Sequence, residues 1–297
     1  MIVHVLGVAA GGGYPQWNCA CATCRLARDG RARPLSHASV AFSATGRAWY
    51  LMNATPDVRQ QVESCSTLHP GPATRSTPIA GVLLTDAELD HTLGLLVLRE
   101  GIGLTVCATT PVLEALKTAF PVRPILDRYA PFEWRTLVPG VPLSLDDDGL
   151  RVEAFRTGGR PPRYAKGQEG GDWTVGLRVQ DRRTGGVAVY APGVERWTPE
   201  VAAAVGDADC VLFDGTFWRD DEMRRSGAGT RPASAMGHLP IAGPAGSAER
   251  LARLPASHRL YVHVNNTNPV LDLTSPERRA LSALGLGVAD EGMALEL

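Results

Sequence analysis

The chain has 297 residues, of which 44% are hydrophobic and 21% charged, so it is long enough for one layered domain with a substantial core. Its formal net charge of −1 excludes a strong nonspecific attraction to nucleic acid or to an anionic membrane. The apolar runs are shorter than the roughly 18 residues that span a bilayer, and no secretory signal is visible at the N-terminus. We therefore predict a cytoplasmic protein with a single domain over residues 1–297, without membrane insertion or a nucleic-acid partner; a homodimer stays open.

The first half of the chain is predicted to alternate between strands and helices. Apolar runs predict strands at residues 2–8, 48–52, 79–84 and 104–108. Helices are predicted directly after Pro56, at residues 92–99 and at residues 111–120.

The second half repeats this alternation. Strands are predicted at residues 150–157, 174–179, 187–190, 210–213, 260–264 and 293–297, and helices at residues 199–205, 247–254 and 276–284. The Thr184-Gly185-Gly186 segment predicts a hairpin, which excludes an all-parallel sheet. Two packed sheets with helices outside, an α/β fold with αββα layers, fit this order best. A doubly wound sheet is the alternative, but the glycines after the first strand lack the dinucleotide-binding spacing.

Three of the six cysteines, Cys19, Cys21 and Cys24, crowd into one short loop. Three thiolates this close can converge on one ion, and soft sulfur ligands in a tetrahedral set favour Zn²⁺. The alternatives are unpaired loop cysteines or an iron–sulfur cluster, which would need a fourth thiolate. We predict a closed, structural zinc site with a fourth ligand from elsewhere. The other cysteines are predicted to be small buried hydrophobes.

A second cluster, Asp86, Glu88, Asp90 and His91, comes directly after a predicted buried strand. Several carboxylates at a strand end are costly unless a positive charge lies among them, and a divalent metal supplies that charge. The alternative is an acidic helix N-terminus stabilised by the helix dipole, but this does not account for the histidine.

Two later segments carry similar groups. Asp214 directly follows an apolar strand, His263 is predicted to lie within the strand at residues 260–264, and His238 lies in a loop. Functional side chains collect at strand ends because a rigid sheet holds the loops there. These residues are therefore candidates for the same site as Asp90 and His91.

The strand, the Asp90-His91 pair and the following helix resemble the metallo-β-lactamase superfamily, whose motif is H-x-H-x-D-H. Asp86 and Glu88 stand where that motif has its two leading histidines. The resemblance implies that Asp214 corresponds to the bridging acid and His263 to the last histidine. The cysteine loop resembles the structural zinc site of a phosphodiesterase branch, in which a histidine completes the site. Asn266 occupies that position here and is the candidate fourth ligand.

More narrowly, the chain resembles the B proteins of pyrroloquinoline quinone (PQQ) biosynthesis, on residues 5–7, 11–19, 84–95, 212–218, 236–240 and 264–269. The first metal position of a zinc hydrolase is lost, because acids replace two of its histidines. The second position survives as Asp90, His91 and His263, and two histidines and one carboxylate with open positions are typical of non-haem Fe(II) oxygenases. The resemblance implies iron- and O₂-dependent hydroxylation of the tyrosine ring in a cross-linked Glu-Tyr precursor. The alternative is a carrier that takes PQQ or its precursor towards the periplasm.

The hydroxylase reading predicts a role for each site residue. Fe²⁺ is predicted to bind Asp90, His91 and His263. Glu88 and Asp214 are predicted to be further ligands or catalytic partners. His238 is predicted to move protons or bind the phenol, and Asp86 is expected outside the ligand set.

A polar loop at residues 156–172 contains a local basic cluster, Arg156, Arg160, Arg163 and Lys166. PQQ and its precursor carry several carboxylates, which arginine can hold with two hydrogen bonds. We predict that Arg160 and Arg163 bind this small-molecule ligand; the alternative is a solvated surface loop.

Overall fold

The computed structural model describes residues 1–100, 103–145, 149–168 and 170–297. Its strands form two seven-stranded sheets. The first sheet contains β1 (Ile2–Gly7), β2 (Ser39–Ser43), β3 (Trp49–Met52), β4 (Ile79–Leu83), β5 (Thr105–Ala108), β6 (Glu133–Thr136) and β14 (Ala294–Glu296). The second contains β7 (Leu143–Leu145), β8 (Leu150–Gly158), β9 (Thr174–Asp181), β10 (Val187–Ala191), β11 (Cys210–Asp214), β12 (His258–Val262) and β13 (Gly287–Val288).

Short helices connect these strands. They are α1 (Ala22–Arg28), α2 (Val58–Glu63), α3 (Leu89–Thr92), α4 (Gly94–Val97), α5 (Thr110–Lys117), α6 (Val122–Leu126), α7 (Pro199–Val205), α8 (Glu222–Arg225), α9 (Ala248–Ala252) and α10 (Pro276–Ala283). Turns of 3₁₀ helix occur at Ser66–Leu68, Leu98–Glu100, Arg163–Ala165, Ser234–Met236 and Pro269–Leu271. Among the described residues no helix has both the length and the hydropathy needed to cross a membrane.

The two sheets have matching strand patterns. In the first sheet β14, β1, β2 and β3 pair antiparallel, and β3, β4, β5 and β6 pair parallel. In the second, β7 to β10 pair antiparallel and β10 to β13 pair parallel. The predicted hairpin is present between β9 and β10.

The core fills the space between the sheets. Because side chains alternate along a strand, Tyr50 and Met52 of β3 join the inter-sheet core, whereas Trp49 and Leu51 join a second cluster with α5 residues such as Leu116. Burial of both faces of β3 requires cover on both sides of the first sheet. The predicted αββα arrangement is confirmed.

The helix predicted at residues 92–99 begins earlier, at Leu89, so Asp90 and His91 lie in α3. The prediction was wrong about the start because the acidic residues were assigned to the preceding loop. The helical segment packs directly against the backbone of residues 54–55. Only glycine fits at position 94, because a Cβ there would lie 2.2 Å from the Thr55 carbonyl oxygen. Two hydrogen bonds hold the helical segment against this backbone. Ala54 N donates to His91 O at 2.8 Å, and Gly94 N donates to Ala54 O at 2.9 Å.

The strand predicted at residues 260–264 ends at Val262, so the prediction that His263 lies within it was wrong. His263 has a φ of 56°, a left-handed conformation that stops the strand. Beyond it the chain crosses to the loop after β1, where Val264 N donates to Val8 O and Ala10 N donates to Val264 O. His263 thereby lies beside Asp90, with its Nε2 3.4 Å from Asp90 Oδ2.

Some elements were not predicted. They are β2, β6, β7, β13, α1, α6 and α8. The helices among them have at most seven residues, and β13 has only two, so each gives little periodicity for a sequence pattern.

Candidate metal centres

The candidate site lies where parallel strands of both sheets end. The segment from Asp86 to His91 follows β4 of the first sheet, Asp214 is the last residue of β11, and His263 directly follows β12. Loops at such strand ends are held by the sheet and can present side chains in fixed positions. The structure brings these residues together although they are far apart in the sequence.

One group of possible metal ligands consists of Asp90, His91 and His263, whose ligand atoms all lie within 4.8 Å of one another. Asp90 Oδ2 is 3.5 Å from His91 Nε2 and 3.4 Å from His263 Nε2. Within the described residues, His91 Nε2 is buried and has no hydrogen-bond partner. A buried nitrogen without a partner is costly, and its lone pair can bind a cation. This donor set therefore fits a divalent metal.

Outer partners fix both imidazole rings. Both carboxylate oxygens of Asp86 lie 2.8 Å from His91 Nδ1, and Asp86 in turn accepts the Thr85 hydroxyl at 2.8 Å. His263 Nδ1 lies 2.8 Å from the hydroxyl of Thr216. With Nδ1 occupied, each histidine presents Nε2 to the ligand group. Asp86 is not in the group of possible ligands but contacts one of its members, and Thr216 is a further residue of the site that the sequence pattern did not indicate.

A second group, Asp214, His238 and His263, also has its ligand atoms within 4.8 Å of one another. Asp214 Oδ2 accepts from Val194 N at 2.8 Å and lies 2.7 Å from His238 Nδ1. Asp214 Oδ1 accepts the Thr216 hydroxyl at 2.6 Å and the Thr216 N–H at 3.0 Å. Both oxygens of Asp214 are therefore engaged twice, which favours an orienting role for this carboxylate over a place as a direct ligand.

The electrostatics of the site reflect its crowded carboxylates. Burial and the neighbouring carboxylates of Asp86 and Asp90 raise the pKa of Glu88 to about 7. Burial lowers the pKa of His91, but Asp86 and Asp90 outweigh this effect and raise it to about 9. Burial likewise opposes the influence of Asp214 on His238, whose pKa is raised overall. The site as a whole favours bound positive charge.

The possible ligands open onto a cavity of about 690 Å³, a volume in the range that holds small molecules. Gly11, Gly12 and Gln16 form part of its wall, and a Cβ on Gly11 would lie 3.5 Å from the Asp90 carboxylate. Glu88 and His238 also line the cavity. A small molecule in this cavity would contact both the ligand group and the side chains of Glu88 and His238.

Only two of the four basic residues of the polar loop lie in the cavity wall. Arg160 and Arg163 line the cavity, together with Arg231, which the sequence analysis did not identify. Arg156 belongs to β8, not to a loop, and its Nε lies 2.6 Å from Asp172 Oδ1. Lys166 is exposed on the same loop and is not part of the cavity wall. Arg231 lies outside the basic cluster in sequence, which is why it was missed.

The three clustered cysteines also converge. The sulfur atoms of Cys19, Cys21 and Cys24 lie within 4.8 Å of one another. The prediction that all three lie in a loop was wrong, because Cys24 is buried in α1. Residues 22–28 were too short a pattern to show this helix. The other cysteines follow the prediction in part, since Cys107 and Cys210 are buried and Cys65 is half-buried.

Asn266 is the residue nearest to a fourth position in this cluster. Its Nδ2 lies 3.2 Å from Cys24 Sγ and 3.7 Å from Cys21 Sγ. An amide nitrogen donates to a thiolate and does not bind zinc, whereas the amide oxygen can bind a cation. The side chain of Asn266 therefore reaches the sulfur cluster either as a hydrogen-bond donor or, with the amide turned over, as an oxygen ligand.

Asp86→Asn is expected to lower the affinity of the Asp90–His91–His263 group for a divalent metal by roughly 10- to 100-fold. The amide keeps the size of the side chain but removes the charge that fixes His91 by contact with Nδ1. Competition with a chromogenic chelator measures the affinity. The matched control is Asp57→Asn. It changes another Asp–His pair, in which Asp57 Oδ2 lies 2.6 Å from His37 Nδ1, and neither residue is in the group of possible ligands. Equal affinities in wild type and Asp86→Asn would contradict the assigned role.

Comparisons with known proteins show the family of the chain. Residues 48–264 match the family described as β-lactamase superfamily domain. The coenzyme PQQ synthesis protein B of Cupriavidus necator is 45% identical, covering 99% of both chains, and that of Ectopseudomonas mendocina is 42% identical, covering 100% of both. The crystal structure of zinc-bound PqqB from Methylobacterium extorquens superposes with a TM-score of 0.93 and 38% identity, covering 100% of both chains.

Proposed function

The chain belongs to the family of coenzyme PQQ synthesis protein B, with the metallo-β-lactamase fold, and from this premise we propose that it is an iron- and O₂-dependent hydroxylase. Its substrate in this proposal is the tyrosine ring of a cross-linked Glu-Tyr precursor of PQQ. The family supports a role in PQQ biosynthesis and a metal-dependent function; the reaction and the ion are our inference.

The observation that carries the proposal is the convergence of two imidazole nitrogens and one carboxylate, with His91 Nε2 buried and without a partner in the described part of the chain. Two histidines and one carboxylate with open positions are typical of Fe(II) oxygenases. A two-zinc hydrolase would need nitrogen ligands where this chain has Asp86 and Glu88. Bound iron would supply the activation of O₂ that no side chain can provide.

In this proposal the side chains of the site hold the ion and move protons. Asp90, His91 and His263 would hold the ion, with Asp86 and Thr216 fixing the two imidazoles. His238 is held through Nδ1 by Asp214, so Nε2 stays available for proton exchange with the phenol of the substrate. Glu88 lines the same cavity and would be a second proton carrier.

We also propose that Cys19, Cys21 and Cys24 hold a structural zinc ion, with Asn266 at the fourth position. Support comes from the convergence of the three sulfur atoms and from the contacts of the Asn266 amide with two of them. Zinc is reported for the relative from Methylobacterium extorquens. A closed set of ligands suits a structural rather than a catalytic ion.

Reconstitution tests the hydroxylase proposal. The protein is loaded anaerobically with Fe(II), then exposed to O₂ with the Glu-Tyr precursor and a two-electron donor such as ascorbate. One oxygen atom should enter a ring C–H bond as hydroxyl, and the other should leave as water after taking up two electrons and two protons. Mass spectrometry with ¹⁸O₂ should show the label in the product, and protein loaded with zinc should give no product.

The alternative, a carrier for PQQ or its precursor, gives a different result in the same assay. A carrier binds the ligand stoichiometrically and releases it with its mass unchanged, whichever ion is present. Unchanged precursor after exposure of the Fe(II)-loaded protein to O₂ and ascorbate would therefore reject the hydroxylase and favour the carrier.

A further inference from the structure

The cavity beside the ligand group contains charges of both signs. The carboxylates of Asp86, Glu88 and Asp90 come from the segment that follows β4 in the first sheet. Three guanidinium groups come from segments attached to the second sheet, namely those of Arg160, Arg163 and Arg231. The carboxylates suit a cation, so the arginines need a different explanation.

Two of these arginines are held side by side by one carbonyl group. Arg160 Nη1 donates to the Ala235 oxygen at 2.6 Å, and Arg231 Nη2 donates to the same oxygen at 2.5 Å. Two guanidinium groups at one neutral acceptor repel each other, since a carbonyl dipole cannot compensate two full charges. An anion lying against both would relieve this repulsion.

The protein compensates these charges only in part. Glu195 Oε1 lies 3.5 Å from Arg160 Nη2, but it is shared with Arg196, at 3.4 Å. Within the described ranges, neither Arg163 nor Arg231 has a carboxylate at ion-pair distance. Arg156 shows the contrast, since its Nε lies 2.6 Å from Asp172 Oδ1. The excess positive charge therefore faces the cavity.

The loop that carries Arg163 is anchored to the segment that carries the possible metal ligands. The Tyr164 hydroxyl donates to the Ala87 carbonyl oxygen at 2.5 Å. The next residue, Ala165, is buried, as is Trp173 at the end of the loop, which donates through Nε1 to Gln168 O at 2.9 Å. The backbone that carries Arg163 is thus anchored next to the ligand group by its immediate neighbour, and its side chain lines the cavity.

We propose that Arg163 and Arg231, with Arg160, form a carboxylate-binding site in this cavity, for a small molecule with at least two carboxylates. Guanidinium groups suit this ligand because they can give a carboxylate two parallel hydrogen bonds. The inference deepens the proposed function, on which it rests for the identity of the substrate. It assigns Arg231 to ligand binding and excludes Arg156.

Binding of PQQ, a tricarboxylate, tests the site. Arg231→Gln and Arg163→Gln should each weaken PQQ binding about tenfold in low salt, as loss of a charge-assisted hydrogen bond predicts. The double variant should weaken it further, and salt should reduce the wild-type affinity more than that of the variants. The trimethyl ester of PQQ should bind wild type and variants alike. Calorimetric titration of the zinc-containing protein measures these affinities.

Lys166→Gln is the matched control, because it removes the same charge from the same loop at an exposed residue outside the cavity wall. It should bind PQQ as the wild type does, and an unchanged Tm shows that the arginine variants are folded. Wild-type affinity in the double variant, or equal affinity of the wild type for PQQ and its ester, would overturn the inference.

Turnover on the same proteins separates this inference from the proposed function. Loss of PQQ affinity in the arginine variants, with no hydroxylation by the Fe(II)-loaded wild type, would reject the hydroxylase and support the carboxylate site. Hydroxylation by the wild type, with PQQ affinity unaffected by both arginine substitutions, would support the hydroxylase and reject the carboxylate site.

Discussion

His91→Ala is expected to abolish metal binding at the Asp90–His91–His263 group and with it hydroxylation of the Glu-Tyr precursor. The substitution removes a buried ligand nitrogen and also the partner of the Asp86 carboxylate. The loss of metal affinity should exceed the roughly 10- to 100-fold typical of an outer partner. His263→Ala should have the same effect. Metal analysis and the ¹⁸O₂ product assay measure the two losses.

Three further measurements make this result specific. His91→Gln offers an amide to Asp86 and guards against misfolding, since the alanine variant leaves a buried carboxylate without its partner. His238→Ala should retain iron and slow turnover, because Asp214 already engages its Nδ1. Zinc at the cysteine cluster should stay in all of these variants. A folded His263→Ala protein that binds iron tightly and hydroxylates the precursor would show that the ligand assignment is wrong.

Cys21→Ser is expected to remove the zinc of the cysteine cluster and to destabilise the whole protein. A structural zinc ion contributes its binding energy to folding, so losing it should lower the Tm by on the order of 5–10 °C. The loss should also reach the other metal group, because Asn266 and His263 are only three residues apart and Ala10 N bonds to Val264 O. Differential scanning calorimetry and zinc analysis are the measurements.

The zinc count is best made in the His91→Ala background, where any remaining zinc belongs to the cysteine cluster. Cys65→Ser is the matched control, because Cys65 is half-buried like Cys21 and its sulfur contacts Thr67 away from the cluster. It should keep full zinc occupancy and a wild-type Tm. Full zinc occupancy in Cys21→Ser would contradict the structural role of the cluster.

The layered fold could be predicted because its strands are strongly apolar and its turns carry clear signals. The strand at residues 79–84 and the helix at residues 199–205 were located to within one residue of β4 and α7. The Asp90-His91 pair was recognisable since charged groups rarely follow a buried strand without a function. Local sequence patterns therefore predicted the layered fold and the residues that lie nearest to the possible metal site.

Contacts between distant segments could not be read from local pattern. The left-handed turn at His263 arises from hydrogen bonds of Val264 to the loop after β1, more than 250 residues earlier in the chain. Thr216 joins Asp214 to His263 only because β11 and β12 lie side by side. Arg231 reaches the cavity by sharing a carbonyl with Arg160. Each of these positions depends on tertiary packing, which has no periodicity in sequence.

The matching strand patterns of the two sheets are what duplication of a single ancestral unit would produce. Asp90 and His91 come from one unit, and His238 and His263 come from the other. The Asp90–His91–His263 group draws its members from both units, so a chain divided between β6 and β7 could assemble this group only after its two fragments reassociate. The geometry of this group therefore depends on how the two units fit together, and a substitution that shifts Asp90 in one unit is expected to change its distance from His263 in the other.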